Sequence, residues 1–251
     1  MKTRRVLIVV DNVRLAESLN KMAVQWVGSC DVHVVCSPLA PPEVRRHVSG
    51  ELDLVCDCKR ILSCYDFLFS AHCRQIIPSN LYSAMPCVNI HPGCLPETRG
   101  WFPHVWSIIY GLPAGFTVHV VDGIIDHGSI LYREEVNKTL LDTSESLYSR
   151  VLSAELSWIK DNFFRLVNGG FSPVPQSADG RVFSKADFDR ACHIDLNETG
   201  SFRDFFDRLR ALSHEGFKNA YVVDELSGDR VYLQVQLYPG SFGVDSCEDC
   251  K

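Results

Sequence analysis

Long hydrophobic runs are missing from this chain, which excludes a bilayer-spanning helix, because such a segment needs about 20 apolar residues in succession. An excess of basic charge is missing too. With 25 Lys and Arg against 31 Asp and Glu, the formal net charge is -6, so binding to a nucleic-acid backbone has no general electrostatic support. No Gly-x-Gly-x-x-Gly turn follows the first apolar strand, which removes the usual argument for a dinucleotide on the first helix. Zinc-type spacing is confined to Cys247 and Cys250, half a site with no matching second half; the expectation there is a frayed tail and no metal. A secretory leader is not expected either, since Val6 to Val10 is too short for its apolar region and no small-residue cleavage pattern follows.

What is present is a chain of 251 residues with 46% hydrophobic content, enough for one full core and a small appendage. Its 11 cysteines are scattered, several inside apolar runs (Cys30, Cys36, Cys56, Cys64, Cys87), as small buried hydrophobes in a reducing cytosol would be. A cytoplasmic protein is expected. Strand-like runs at Arg5 to Val10, Asp31 to Cys36, Leu52 to Cys56, Tyr65 to Ala71 and Cys87 to Ile90 alternate with helical spacing at Asn12 to Val27, Pro41 to Val48 and Ile76 to Ala84. This alternation predicts an α/β fold with a Rossmann-like, doubly wound, mostly parallel sheet.

Beyond it, His104 to Tyr110 read as a helix, and Ala114 to Asp122 and Ser129 to Val136 as a hairpin. A long helix from Ser144 to Val167 follows, with Asp142 and Thr143 as cap candidates and Gly169-Gly170 as its stop. The texture changes after Gly170. Residues 1–170 are therefore read as the main domain, and 171–251 as a small C-terminal α+β subdomain for packing or dimerisation, entered by a Pro/Ser/Gly-rich linker. That subdomain holds a helix faced by Phe202, Phe205, Phe206, Leu209 and Leu212, then a hairpin of Ala220 to Val223 and Val231 to Leu237.

The stretch Val88-Asn89-Ile90-His91-Pro92-Gly93 organises the rest. A strand places i and i+2 on one face, so Asn89 and His91 point together at the mouth of a sheet, where open α/β sheets commonly bind ligands. A histidine near a strand end is more often structural, and Asp126 beside Gly128 is also what an ordinary turn uses, so the pair alone decides nothing.

Asn89-x-His91 followed by Asp126-His-Gly resembles the N10-formyltetrahydrofolate-dependent formyltransferases. Ser70 to Pro78, Arg99 to Trp106 and Arg208 to Tyr221 are similar to the branch that formylates nucleotide-linked amino sugars. The resemblance implies formyl transfer to the amine of a nucleotide-linked dideoxy amino sugar, best matched by dTDP-4-amino-4,6-dideoxyglucose, for a surface polysaccharide such as O-antigen. A 3-amino sugar as acceptor, or methionyl-tRNA formylation, are the alternatives it leaves open.

Such chemistry needs preorganised donors for an oxyanion and a base for the amine proton. Asn89 is expected to stabilise the oxyanion, His91 to act as base, and Asp126 to orient His91 or raise its pKa. The resemblance places N10-formyltetrahydrofolate along Arg74, Gln75, Ile76 and Ile77 and along Asp122, Gly123, Ile124, Ile125 and Asp126. For the acceptor, the guanidinium of Arg99, with Arg74 as a second, suits a diphosphate. Gly100, Trp101, Phe102 and His104 complete that expected loop, with Trp101, Phe102 or Trp106 stacking on the base. A homodimer, a small-molecule substrate, and no nucleic-acid or membrane partner are expected.

Overall fold

The computed structural model describes residues 3–177 and 179–240; the Cys247 and Cys250 tail lies outside them. Its centre is a six-stranded sheet in the order β2-β1-β3-β4-β6-β7. Strands β1 (Arg4–Val10), β2 (Cys30–Val35), β3 (Phe67–Ala71) and β4 (Cys87–His91) run parallel. Strand β6 (Gly115–Val120) is antiparallel to β4, and β7 (Ile130–Glu135) is antiparallel to β6. The sheet is thus mostly parallel, as expected, with an antiparallel flank.

Burial on both faces explains why β1 reads as an unbroken apolar run. Val6, Ile8 and Val10 pack towards α1 (Val13–Gln25) and α5 (Ser144–Val167). Leu7 and Val9 pack on the other face, towards α2 (Cys58–Cys64) and α3 (Ser79–Tyr82). Asn12 caps α1 by accepting from Leu15 N at 3.0 Å. Thr143 and Ser146 form a reciprocal capping box on α5, whose bounds are those the sequence predicts.

Three local expectations give way. Leu52 to Cys56 is no strand: Asp53 Oδ1 accepts from Val55 N and Cys56 N at 2.8 and 2.9 Å, and this side-chain turn leads into α2. Pro41 to Val48 shrinks to a 3-10 turn over Val44–His47. In Ile76 to Ala84 only α3 is helical, because Pro78 holds the chain extended until then.

After β4, the two-residue strand β5 (Arg99–Gly100) leads into α4 (Pro103–Ile109). The expected surface linker is stitched to this region. Val174 bridges Ile130, and β8 (Val182–Phe183) pairs parallel with β5. Next come α6 (Lys185–Cys192), α7 (Phe202–Leu212) and a hairpin of β9 (Tyr221–Val223) with β10 (Arg230–Tyr232). The hairpin ladder is shorter than the alternation of Val231 to Leu237 predicts. Ala211, Leu212, Ala220 and Val222 bury against Val105 and Ile108 of α4, which fixes the C-terminal unit to that helix.

Candidate active site

Antiparallel register sets Asn89 opposite His119 and His91 opposite Thr117. Val88 and Ile90 point to the α1/α5 core, so these four polar side chains occupy the other face. Alternation in β6 alone would send Thr117 and His119 to solvent, yet both are buried. Sequence reasoning missed His119; the available signal was its pairing with Asn89 once β6 is taken as the antiparallel neighbour of β4.

Asp126 comes from the loop between β6 and β7. Strand β6 stops at Val120, opposite Val88 at the start of β4, and the following loop folds back along the sheet. Asp126 then lies 3.4 Å from His91 Nδ1 and 3.5 Å from His119 Nε2. It adopts a left-handed φ of 47°, which Asp tolerates better than most residues. Gln176 holds the bend by donating Nε2 to the carbonyls of Asp126 and Gly128 at 3.0 and 2.7 Å. A segment read as a linker therefore shapes the site.

The hydrogen bonds assign protons. His91 Nε2 sits 2.7 Å from the Thr98 carbonyl, which only accepts, so Nε2 carries hydrogen and Nδ1 is the atom open to a proton. His119 Nδ1 donates to the Val120 carbonyl at 2.9 Å, which leaves Nε2 to accept from Asn89 Nδ2 at 3.1 Å. One amide hydrogen of Asn89 is thereby fixed and the second is left to donate. Gly93 is required here, since a Cβ would come within 2.8 Å of His91 Nε2.

Burial pushes the His91 pKa below its ordinary value, against the upward pull of Asp126 and the Thr98 carbonyl. Burial would raise the Asp126 carboxyl, but the charge of a protonated His91 and the Gly100 N–H outweigh it and hold the group well below the usual carboxylate range. These shifts compete, since a charged His91 is part of what lowers Asp126. The Gly100 N–H, 2.9 Å from Asp126 Oδ2, needs no titration and favours the ionised carboxylate in either case. The result is a neutral base beside a fixed negative charge.

The other expected site residues divide. Ile76, Ile124 and Ile125 are exposed while Ile77 is core. A Cβ on Gly123 would meet Tyr82 Oη at 2.4 Å, so the acidic loop lies against α3, close to the loop that carries Ile76. Exposed apolar side chains on neighbouring loops suit a flat heterocycle. Gln75 is occupied by Leu54 N and Asp53, and Asp122 by His127 Nδ1 at 2.7 Å.

Arg99 departs from its expected diphosphate role: it is buried, and its guanidinium binds Gln176 Oε1 at 2.8 Å and the Ser177 carbonyl at 3.2 Å. Gly100, with φ 88°, gives the close approach to Phe183 that β5–β8 pairing needs. Trp106 is also structural, stacked on Phe183 and donating to the Trp101 carbonyl at 2.6 Å. Phe102 packs on Phe188, Trp101 is exposed, and His104 is buried against the ring of Tyr148. Burial drives the His104 pKa down to about 3.

A cleft of about 310 Å³ opens at the carboxyl ends of β1 and β3, walled by Asp11, Asn12, Arg14, Arg74, Tyr148 and His214. The backbone N–H of Arg74 donates to Asp11 Oδ2 at 2.7 Å, and its guanidinium makes no hydrogen bond among the described residues.

This mixed sheet thus carries an amide and an imidazole on one face, and the loop after β6 brings a carboxylate to them. Residues 62–162 match the family model described as formyl transferase, and residues 187–239 match the N-formyltransferase dimerization C-terminal domain. The dTDP-4-amino-4,6-dideoxyglucose formyltransferase of Mycobacterium tuberculosis is 37% identical over 93% of this chain and 97% of its own. A sugar N-formyltransferase from a Shewanella species superposes with a TM-score of 0.89 at 33% identity, over 95% of this chain and 99% of its own. A 4-N formyltransferase from Francisella tularensis gives 0.87 at 31% identity, over 94% and 98%. The chain belongs to the formyltransferase family and, within it, to the sugar N-formyltransferases.

Proposed function

We propose that this enzyme transfers the formyl group of N10-formyltetrahydrofolate to the amino nitrogen of dTDP-4-amino-4,6-dideoxyglucose. The observation that carries the reading is the convergence of Asn89 Nδ2, His91 Nδ1 and the Asp126 carboxylate on one sheet face. The folate supplies the formyl carbon, and the exposed Ile76, Ile124 and Ile125 suit the flat faces of its heterocycle. Charge that develops on the formyl oxygen as the amine adds is met by the free Asn89 hydrogen. His91 Nδ1 takes the proton shed by the amino nitrogen, and the same atom can return it to the departing nitrogen. Asp126 stabilises the imidazolium in between.

The acceptor enters through the cleft beside β1 and β3, with the uncommitted guanidinium of Arg74 taking the diphosphate in place of Arg99. The dimerization-domain match and the exposed Phe202, Val231 and Tyr232 support a homodimer. We place the reaction in the cytoplasm, ahead of surface-polysaccharide assembly, with no metal in the chemistry and no nucleic acid or membrane as partner. Incubation with N10-formyltetrahydrofolate and dTDP-4-amino-4,6-dideoxyglucose should give an acceptor heavier by one formyl group in the mass spectrum. No mass change with that sugar but turnover of a 3-amino isomer would shift the acceptor; turnover of initiator tRNA instead would overturn the sugar reading.

A further inference from the structure

A second hydrogen-bonded chain lies beside the catalytic one: it runs from the α1/α5 side of the sheet to Tyr148 at the carboxyl rim, where the cleft opens. Were β3 to continue one residue past Ala71, His72 would join Leu68 and Ser70 on the α2/α3 face. Instead it adopts a left-handed φ of 56°, an uncommon conformation for a non-glycine residue, and its ring turns to α5. There His72 Nε2 lies 3.0 Å from the fully buried Glu155 carboxylate, and Nδ1 lies 3.1 Å from Tyr148 Oη. Asn12 Nδ2 donates to the same phenol oxygen at 3.0 Å. Backbone strain and a buried carboxylate are both costly, and together they serve to fix one hydroxyl.

Tyr148 is one of the residues that wall the cleft. A phenol offers one hydrogen and two lone pairs. Asn12 fills one lone pair, and His72 fills either the other or the hydrogen, depending on its tautomer. One capacity is left in both cases. The ring of His104, whose buried Nδ1 has no partner among the described residues, packs on Tyr148 at 4.7 Å, so a second hydrogen-bonding demand goes unmet close by. An incoming hydroxyl can donate or accept and therefore suits either tautomer, whereas a phosphate oxygen suits only one.

We propose that Tyr148, held by His72 and Glu155, reads a hydroxyl of the acceptor's hexose and so determines which amino sugar is formylated. Tyr148 is the contact; His72 and Glu155 are positioning residues. The assignment rests on the sugar N-formyltransferase reading above and deepens it.

Steady-state kinetics of Tyr148→Phe, varying each substrate in turn, test it. The acceptor KM should rise about five- to tenfold while the KM for N10-formyltetrahydrofolate stays within about twofold. Acceptor analogues lacking one ring hydroxyl at a time give the sharper readout. One of them should be penalised by the wild type and not by Tyr148→Phe, a pattern that a purely structural tyrosine does not produce. Glu155→Gln preserves the size and hydrogen bonding of the His72 partner and should raise the acceptor KM less. If Tyr148→Phe does not fold, that variant decides, and an unchanged acceptor KM overturns the proposal. An active wild type with a silent Tyr148→Phe sinks this assignment alone. A wild type that formylates no nucleotide-linked amino sugar sinks the function and this assignment with it.

Discussion

Two histidines stand at the ends of neighbouring strands, and the protein puts them to opposite uses. His91 follows the pleat of β4 onto the α2/α3 side, where Asp126 reaches it from a loop with 15% of its side chain exposed. His72 leaves the pleat of β3 and meets Glu155, which is sealed at 0%. Each has one ring nitrogen near a carboxylate, but their other nitrogens differ. That of His91 is spent on a main-chain carbonyl, so its Nδ1 is left for chemistry; that of His72 goes to a phenol, so it positions. An imidazole–carboxylate pair is thus not a function in itself. What the second nitrogen binds, and which side of the sheet the pair faces, decide it.

The contrast breaks most visibly at the chemical pair. Asn89→Ala should lower kcat by roughly 10²–10³, the usual loss for one oxyanion donor, and His91→Asn by roughly 10²–10⁴. Single-turnover formation of the formylated sugar, with thermal unfolding as the control for fold, reads both. Near wild-type turnover in His91→Asn would return the base role to another group.

Asp126→Asn separates charge from shape. His91 works as a base only when neutral, so the rate falls as pH drops through its pKa. Because Asp126 pulls that pKa upward, its loss should lower the kcat plateau roughly a hundredfold and move the acidic limb to lower pH. An acidic limb that stayed in place would show that Asp126 acts by geometry alone.

His104 sharpens the comparison from the stability side. Its folded pKa of about 3 lies below the unfolded value near 6.5, so the unfolded chain binds the extra proton between those limits. Its contribution is fully present above pH 6.5 and is lost on the way down to about pH 3, on the order of a few kcal/mol. His104→Gln should flatten that part of a denaturation-against-pH series; an equally steep loss in the variant would assign the acid sensitivity to other buried groups.

The smallest effect on catalysis is expected farthest from the strand ends. Phe202→Glu on the exposed face of α7 should convert the proposed dimer to a monomer in light scattering and leave kcat within about twofold. A large fall in kcat would mean that the active site depends on the partner subunit.

Much of the frame was legible because it rests on local rules. The apolar run of β1, the capped helix α5 and the Asn89-x-His91 pairing follow from periodicity and capping over a few residues. The reading failed where a side chain replaced a backbone partner. Asp53 turned an expected strand into a loop, and Gln176 engaged Arg99, which had been expected at the diphosphate. His119 was overlooked because a polar residue in an alternating strand looks solvated until its neighbour is known.

The sequence alone determined the α/β alternation and the family resemblance and singled out Asn89, His91 and Asp126, since each strand, helix and motif is written within a short window. Only the tertiary structure decided that Asp126 meets His91 and His119, that Arg99 is structural, and that His72 turns away from the chemistry. His119 apart, those outcomes depend on partners dozens of residues away, and a buried polar group takes whichever of them folding brings within hydrogen-bond reach.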